Sequence, residues 1–338
     1  MYINRRQKRR KLKLKSKKRF RKAMFISLIF VAFILLMGLS YEKIGQYNDS
    51  KKYFPAGKMV NVNNHKINVF TKGEGNVTVV FTGGLNEPSS YTQFYPLYNI
   101  ISKHAKIAVY HRPGHGWSEI TDVPRDIDSM VKEMHTALIE SGQKPPYILV
   151  GHSLASLSVI RFAQTYKNEV SGIVLIDGGS PEYFFKNKVG TDSDTAFKYS
   201  ILKSLGIARF AINHTKYSSK IVSGQNNLKL LPDDLKQLYL AMTVKTMFNK
   251  NIIDEGKLIS DNAKIVLDDG KLGNIPLRIL TAESNTIEIP EWENSQIAFK
   301  EWSKDSKQMV VKGSRHSIHQ FSPDIINNEI IKLIKKQK

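Results

Sequence analysis

The run Ile148-Leu149-Val150-Gly151-His152-Ser153-Leu154-Ala155 confines the fold more tightly than any other stretch of the chain. An apolar strand enters a Gly-x-Ser-x-small turn, and the turn opens at once into the helical pattern Leu157-Ser158-Val159-Ile160-Arg161-Phe162-Ala163. So sharp a turn strains the serine backbone and is tolerable only with small residues two positions away on each side. The strain lifts the hydroxyl clear of a sheet. It also leaves the amide of Leu154 at a helix N-terminus, where an unpaired N–H can meet a developing oxyanion. Five residues of pattern are weak alone, so partners must come from elsewhere in the chain.

The surrounding sequence alternates strand and helix signals from Lys58 onward. Strands are expected over 66–71, 77–82, 105–110, 147–150, 172–177, 277–282 and 308–312. Helical patterns lie near 91–103, 127–141, 154–166, 291–303 and 324–335. Runs such as Ile173-Val174-Leu175-Ile176 are apolar without alternation, as strands covered on both faces require. The expected class is α/β, a doubly wound and mostly parallel sheet built from residues 58–178 and 271–338. Residues 179–270 break the rhythm with helical patterns at 195–205 and 232–248 and read as a helical cap at the carboxyl edge of the sheet.

The first 22 residues carry thirteen Lys or Arg and no acid. Residues 23–41 follow without a charge, and nineteen helical residues reach roughly 28 Å, about the hydrocarbon thickness of a bilayer. A buried helix of that length normally keeps a polar face, and this run offers Ser27. The expectation is a single-pass transmembrane helix in the cell membrane, with residues 1–22 in the cytoplasm, a polar tether over 42–57, and the remainder exported. A cleaved signal peptide is the competing reading, although the run is long for one and Met37-Gly38-Leu39-Ser40 is a poor cleavage site. Taking the thirteen leading charges from the net +21 leaves +8, ordinary for a solubilised domain. The basic block therefore reads as a topology and lipid determinant, and no nucleic-acid partner is expected. With no cysteine in the chain, disulfides, thiol catalysis and Cys-ligated metal are excluded.

Three further segments accompany the serine turn. Val79-Val80-Phe81-Thr82-Gly83-Gly84-Leu85-Asn86 is a strand ending in glycines, and the amide of Leu85 is a candidate second oxyanion donor. Tyr110-His111-Arg112-Pro113-Gly114-His115-Gly116-Trp117-Ser118 follows the next strand. Lys312-Gly313-Ser314-Arg315-His316-Ser317-Ile318-His319 lies between the last strand and the last helix.

In this order the segments resemble the α/β-hydrolase superfamily, in particular its serine hydrolases with a Tyr-Asp-Arg-x-Gly-x-Gly-x-Ser turn. Two positions depart from that pattern: His111 stands where Asp is usual and Ala155 where Gly is usual. The resemblance implies a Ser-His-acid triad with Ser153 as nucleophile and His316 as base, His319 being the runner-up. His152 is expected to pack beneath the turn, and His111 and His115 to hydrogen-bond within their loop. The acid has two candidate positions, after the sixth or the seventh strand. The usual seventh-strand position carries Asn285, which leaves Asp177 or Glu283. The implied activity is cleavage of a carboxylic ester or related small-molecule acyl substrate by a membrane-anchored enzyme, with no metal or organic cofactor. An aminopeptidase-like or perhydrolase member of the same fold, or a non-catalytic surface binding protein, are the alternatives. A dehalogenase or epoxide hydrolase would want Asp at position 153. The oligomeric state is left open.

Overall fold

The computed structural model describes residues 2–187, 189, 193–216 and 228–337. The remaining parts of the 179–270 insertion, together with Met1 and Lys338, lie outside the described residues. One eight-stranded sheet organises the chain, in the order β1 (Lys58–Val62), β2 (His65–Lys72), β4 (Lys106–Tyr110), β3 (Thr78–Thr82), β5 (Tyr147–His152), β6 (Val170–Ile176), β7 (Leu277–Ala282) and β8 (Ser306–Val311). The pairs β1–β2 and β2–β4 are antiparallel, and the other five are parallel. The seven expected strands are present. β1 is the addition: it is a five-residue edge strand whose buried side chains alternate with outward ones.

The central strands are apolar throughout because helices cover both faces of the sheet. On one face, helices Ile127–Glu140, Ala155–Thr165 and Ile259–Asp268 bury Met130, Leu157, Val159 and Val266. On the other, helices Tyr95–Ile101 and Pro323–Lys335 bury Leu97, Ile101, Ile326 and Ile330. The helices that follow β3 and β5 therefore leave to opposite faces of adjacent strands. A crevice opens between the carboxyl ends of those two strands, the topological switch point where such sheets bind ligands.

Between β6 and β7 the described residues form helices and no strand. Helix Ile259–Asp268 falls inside the range expected for the cap, yet Ala263 and Val266 pack into the main core, as the crossover to β7 requires. Around helix Asp233–Thr246, a separate small core gathers Leu235, Leu238, Tyr239 and Met242 with Trp117.

The amino-terminal helix runs unbroken from Tyr2 to Lys52, so the polar segment expected as a tether is helical for most of its length. It is long and apolar enough to cross a membrane, and its most apolar stretch is not buried against the rest of the chain. What orders the polar part is one ion-pair cluster. Arg209, on helix Ile207–His214, donates from Nε to Glu42 at 2.9 Å and from Nη1 to Asp49 at 2.7 Å. Glu42 and Arg209 are both buried. Removing one partner of a buried pair leaves an uncompensated charge and costs about 3–5 kcal/mol. Arg209→Leu is therefore expected to lower the thermal midpoint of the full chain in detergent, with much of the loss recovered when Glu42→Leu is added.

Candidate active site

Ser153 sits between β5 and helix Ala155–Thr165 with φ +54°, a left-handed value few non-glycine residues adopt. Its amide is held by the Ile176 carbonyl at 3.1 Å. The glycine two positions before it sits in a tight place, since a Cβ on Gly151 would stand 3.1 Å from both the Ala155 carbonyl oxygen and the Val159 side chain. Ala155, where glycine is usual, is buried.

Across the crevice lies the glycine turn after β3. A Cβ on Gly84 would be 2.8 Å from the Ser153 Cβ, so the turn touches the serine. Arg112 reaches under this turn, donating to the carbonyls of Gly83 and, at 2.8 Å, Gly84. In a trans peptide the carbonyl and the next N–H point in opposite directions. Anchoring the Gly84 carbonyl on buried Arg112 therefore turns the Leu85 amide away from Arg112, toward the crevice. Among the described residues no protein group accepts from the amide of Leu85 or of Leu154. The amides that follow the glycine turn and the serine thus both keep an unpaired N–H.

His316 and Ser153 line the same cleft, a space of about 210 Å³ that Gly84, Leu85, Glu87 and Tyr239 also border. The His316 Nδ1 lies 2.7 Å from Oδ2 of Asp177, which is wholly buried at the end of β6 with φ +44°. Three other donors hold that carboxylate. The Ala282 amide and the Trp292 Nε1 each reach Oδ1 at 2.9 Å, and the Asn285 Nδ2 reaches Oδ2 at 2.6 Å. Both carboxylate oxygens are thus occupied by donors. The fourth donor is then the Nδ1–H of His316, which leaves Nε2 free to accept a proton.

Ser153, His316 and Leu85 thus line one cleft, Asp177 holds His316 from behind, and Leu154 follows the serine in the chain. The structure does not bring Glu283 there. Glu283 opens the helix after β7 and accepts from the Gly313 amide at 2.8 Å, bracing the loop that carries His316. His319 is separated from the cleft: it is fully buried, with Nε2 3.0 Å from Oε1 of Gln93. Burial, with the His152 and His316 imidazoles adding, holds its pKa well below the usual histidine value, so it stays neutral and structural. His115 hydrogen-bonds within its loop, to Arg112 and the Pro113 carbonyl, whereas His111 reaches out of it to the segment after the glycine turn. The His111 Nε2 accepts from the Tyr91 amide at 3.2 Å and meets Ser89 Oγ at the same distance, and burial pushes its pKa down to about 3.

His152 differs from the expectation that it lies beneath the turn. It borders the cleft, with Nδ1 3.2 Å from Glu87 and Nε2 3.1 Å from the His316 carbonyl oxygen. It bridges the glycine turn and the histidine loop. Trp292, Asn285 as a support of the acid, and Glu87 were not found from the sequence. Asn285 had a signal, since it occupies the usual acid position. Among the described residues no three His, Asp or Glu side chains converge as a metal-ligand set.

Comparison with known proteins agrees with this fold. A profile of the α/β-hydrolase fold matches residues 77–236. The chain has the α/β-hydrolase fold. It is 29% identical over 322 residues to YbdG of Bacillus subtilis, itself described as uncharacterized, covering 93% of this chain and 97% of that one. Among solved structures it is similar to Cfl2 from Burkholderia cenocepacia (TM-score 0.64, 16% identity, 83% of this chain and 99% of that one). It is also similar to a bromoperoxidase from Bacillus anthracis (TM-score 0.63, 18% identity, 83% and 100%).

Proposed function

We propose that the chain is a membrane-anchored serine hydrolase that cleaves a carboxylic ester or related acyl compound. The observation that carries this reading is the strained Ser153 facing a cleft shared with His316, whose Nδ1 is fixed by a buried, fully hydrogen-bonded Asp177. Ser153 Oγ attacks the acyl carbonyl as His316 Nε2 takes its proton, forming a tetrahedral oxyanion against the Leu85 and Leu154 amides. Asp177 stabilises the imidazolium. His316 then protonates the leaving alkoxide, leaving an acyl-Ser153 ester. Water attacks that ester with His316 again as base, and the acid is released. No step asks for a metal or organic cofactor.

The amino-terminal helix supports a retained anchor rather than a cleaved leader, because Gly38 and Tyr41 pack on the insertion. Its basic flank supports an extracytoplasmic site. A fluorophosphonate probe tests the enzyme reading on the full chain in detergent. The expected result is a covalent adduct on the peptide containing Ser153, absent from Ser153→Ala. Folded protein that never reacts would overturn it.

A further inference from the structure

The insertion turns an apolar face outward beside the amino-terminal helix. Helices Ser193–Ser204 and Ile207–His214 pack on each other and against that helix. The contact is backbone on backbone: Gly38 leaves no room for a Cβ against the Leu205 carbonyl, and a Cβ on Gly206 would stand 2.7 Å from the Gly38 oxygen. Tyr41, the last residue of the uncharged run, has its hydroxyl 3.3 Å from His214 Nε2, and the His214 ring lies 4.9 Å from that of Phe210. These contacts hold the junction of the two helices, and the end of the second, against residues 38–41, where the uncharged run gives way to Glu42 and Lys43.

On these two helices Phe197, Ile201, Leu202, Ile207 and Phe210 are exposed, Phe197 by 64% and Phe210 by 56%. Isolated surface apolar residues are ordinary, but five large ones on two touching helices form a patch of the kind that marks an interaction site. The inner side of the first helix has the opposite character. Ala196 is buried there beside Leu85 and Asn86 of the glycine turn. One helix therefore separates the turn that borders the cleft from this open apolar face.

We propose that this face is seated in the headgroup–acyl boundary of the bilayer that the amino-terminal helix crosses, and that the acyl ester is a lipid resident in that bilayer. The inference rests on the anchored serine hydrolase reading and names its substrate class. A helix lying in the interface buries its apolar side by about 5–10 Å, a depth that suits side chains on helices held against the end of a span. Exposed Lys198 on the same helix offers a cation to headgroup phosphates.

Because the chain has no cysteine, single cysteines report cleanly. Full-length protein carrying Ile201→Cys or Phe210→Cys, labelled with bimane, is placed in phosphatidylcholine–phosphatidylglycerol vesicles with brominated acyl chains. Quenching about as strong as at Leu39→Cys, and several-fold stronger than at exposed Ile139→Cys on helix Ile127–Glu140, is expected. Quenching no greater than at Ile139→Cys overturns the proposal, as does cross-linking that shows a second copy covering the face. This readout needs no turnover, so it stands apart from failure of Ser153 to react. For the substrate, Phe197→Ser with Phe210→Ser is expected to lower the ratio of turnover of a vesicle-dissolved long-chain ester to that of a water-soluble acetate ester about tenfold. An unchanged ratio overturns the lipid route.

Discussion

Asp177→Asn is expected to lower kcat for ester hydrolysis by about 10³–10⁴-fold with KM within a few-fold of wild type. The cause is the donor set around the carboxylate. All four partners of Asp177 donate: the Ala282 amide, Trp292 Nε1, Asn285 Nδ2 and His316 Nδ1. An amide in its place must aim its NH2 at two of them in either orientation. If the NH2 faces His316, the ring adopts the tautomer that presents N–H to the serine and cannot act as base. If it faces Ala282 and Trp292, two buried donors lose their acceptor. Glu283→Gln provides the contrast, because its one bond is to the Gly313 amide and an amide oxygen can replace it. Turnover within about threefold of wild type is expected there. Steady-state kinetics on a short-chain ester decides between them: near-full turnover in Asp177→Asn with loss in Glu283→Gln would reassign the acid.

That assignment marks the boundary of what the sequence made legible. The serine turn is local: strand, glycine, serine, small residue and helix follow one another, so the strain at Ser153 could be read before its φ was seen. The same holds for the covered strands, whose apolar runs need no partner to be recognised. Asn285 and Trp292 lie 108 and 115 residues from Asp177, and no spacing rule couples them. Only closure of the sheet brings the loop after β7 beside the end of β6. An asparagine at the usual acid position read as a missing carboxylate, whereas in the fold it supports a carboxylate placed one strand earlier.

The amino-terminal helix failed to show itself beyond residue 41 for a related reason. Segment 42–52 carries no apolar stripe, because its order comes from one buried arginine on the insertion rather than from a packed face. His152 was misplaced because its neighbours in space, Glu87 and the His316 carbonyl, come from two other loops. β1 is short and alternating, a weak signal beside a long uncharged run.

Gly84→Ala is expected to lower kcat about 100-fold. The added methyl would start 2.8 Å from the Ser153 Cβ and 3.2 Å from the His152 carbonyl oxygen, closer than carbon atoms pack. Something must move, and the surroundings decide what. The glycine turn cannot retreat, because Arg112 grips the Gly83 and Gly84 carbonyls and is itself 3.3 Å from buried Glu255. The serine is the softer side, a single residue at strained φ in a half-open cleft. Its hydroxyl therefore shifts relative to both His316 and the Leu85 amide, and a misplacement of that order costs about 10² in rate. Binding groups farther along the cleft are untouched, so KM should hold and the loss should fall on kcat and on the rate of fluorophosphonate labelling. A variant that labels and turns over at the wild-type rate would mean that the turn and the serine do not meet as closely in solution, and with that the role of the Leu85 amide would fall.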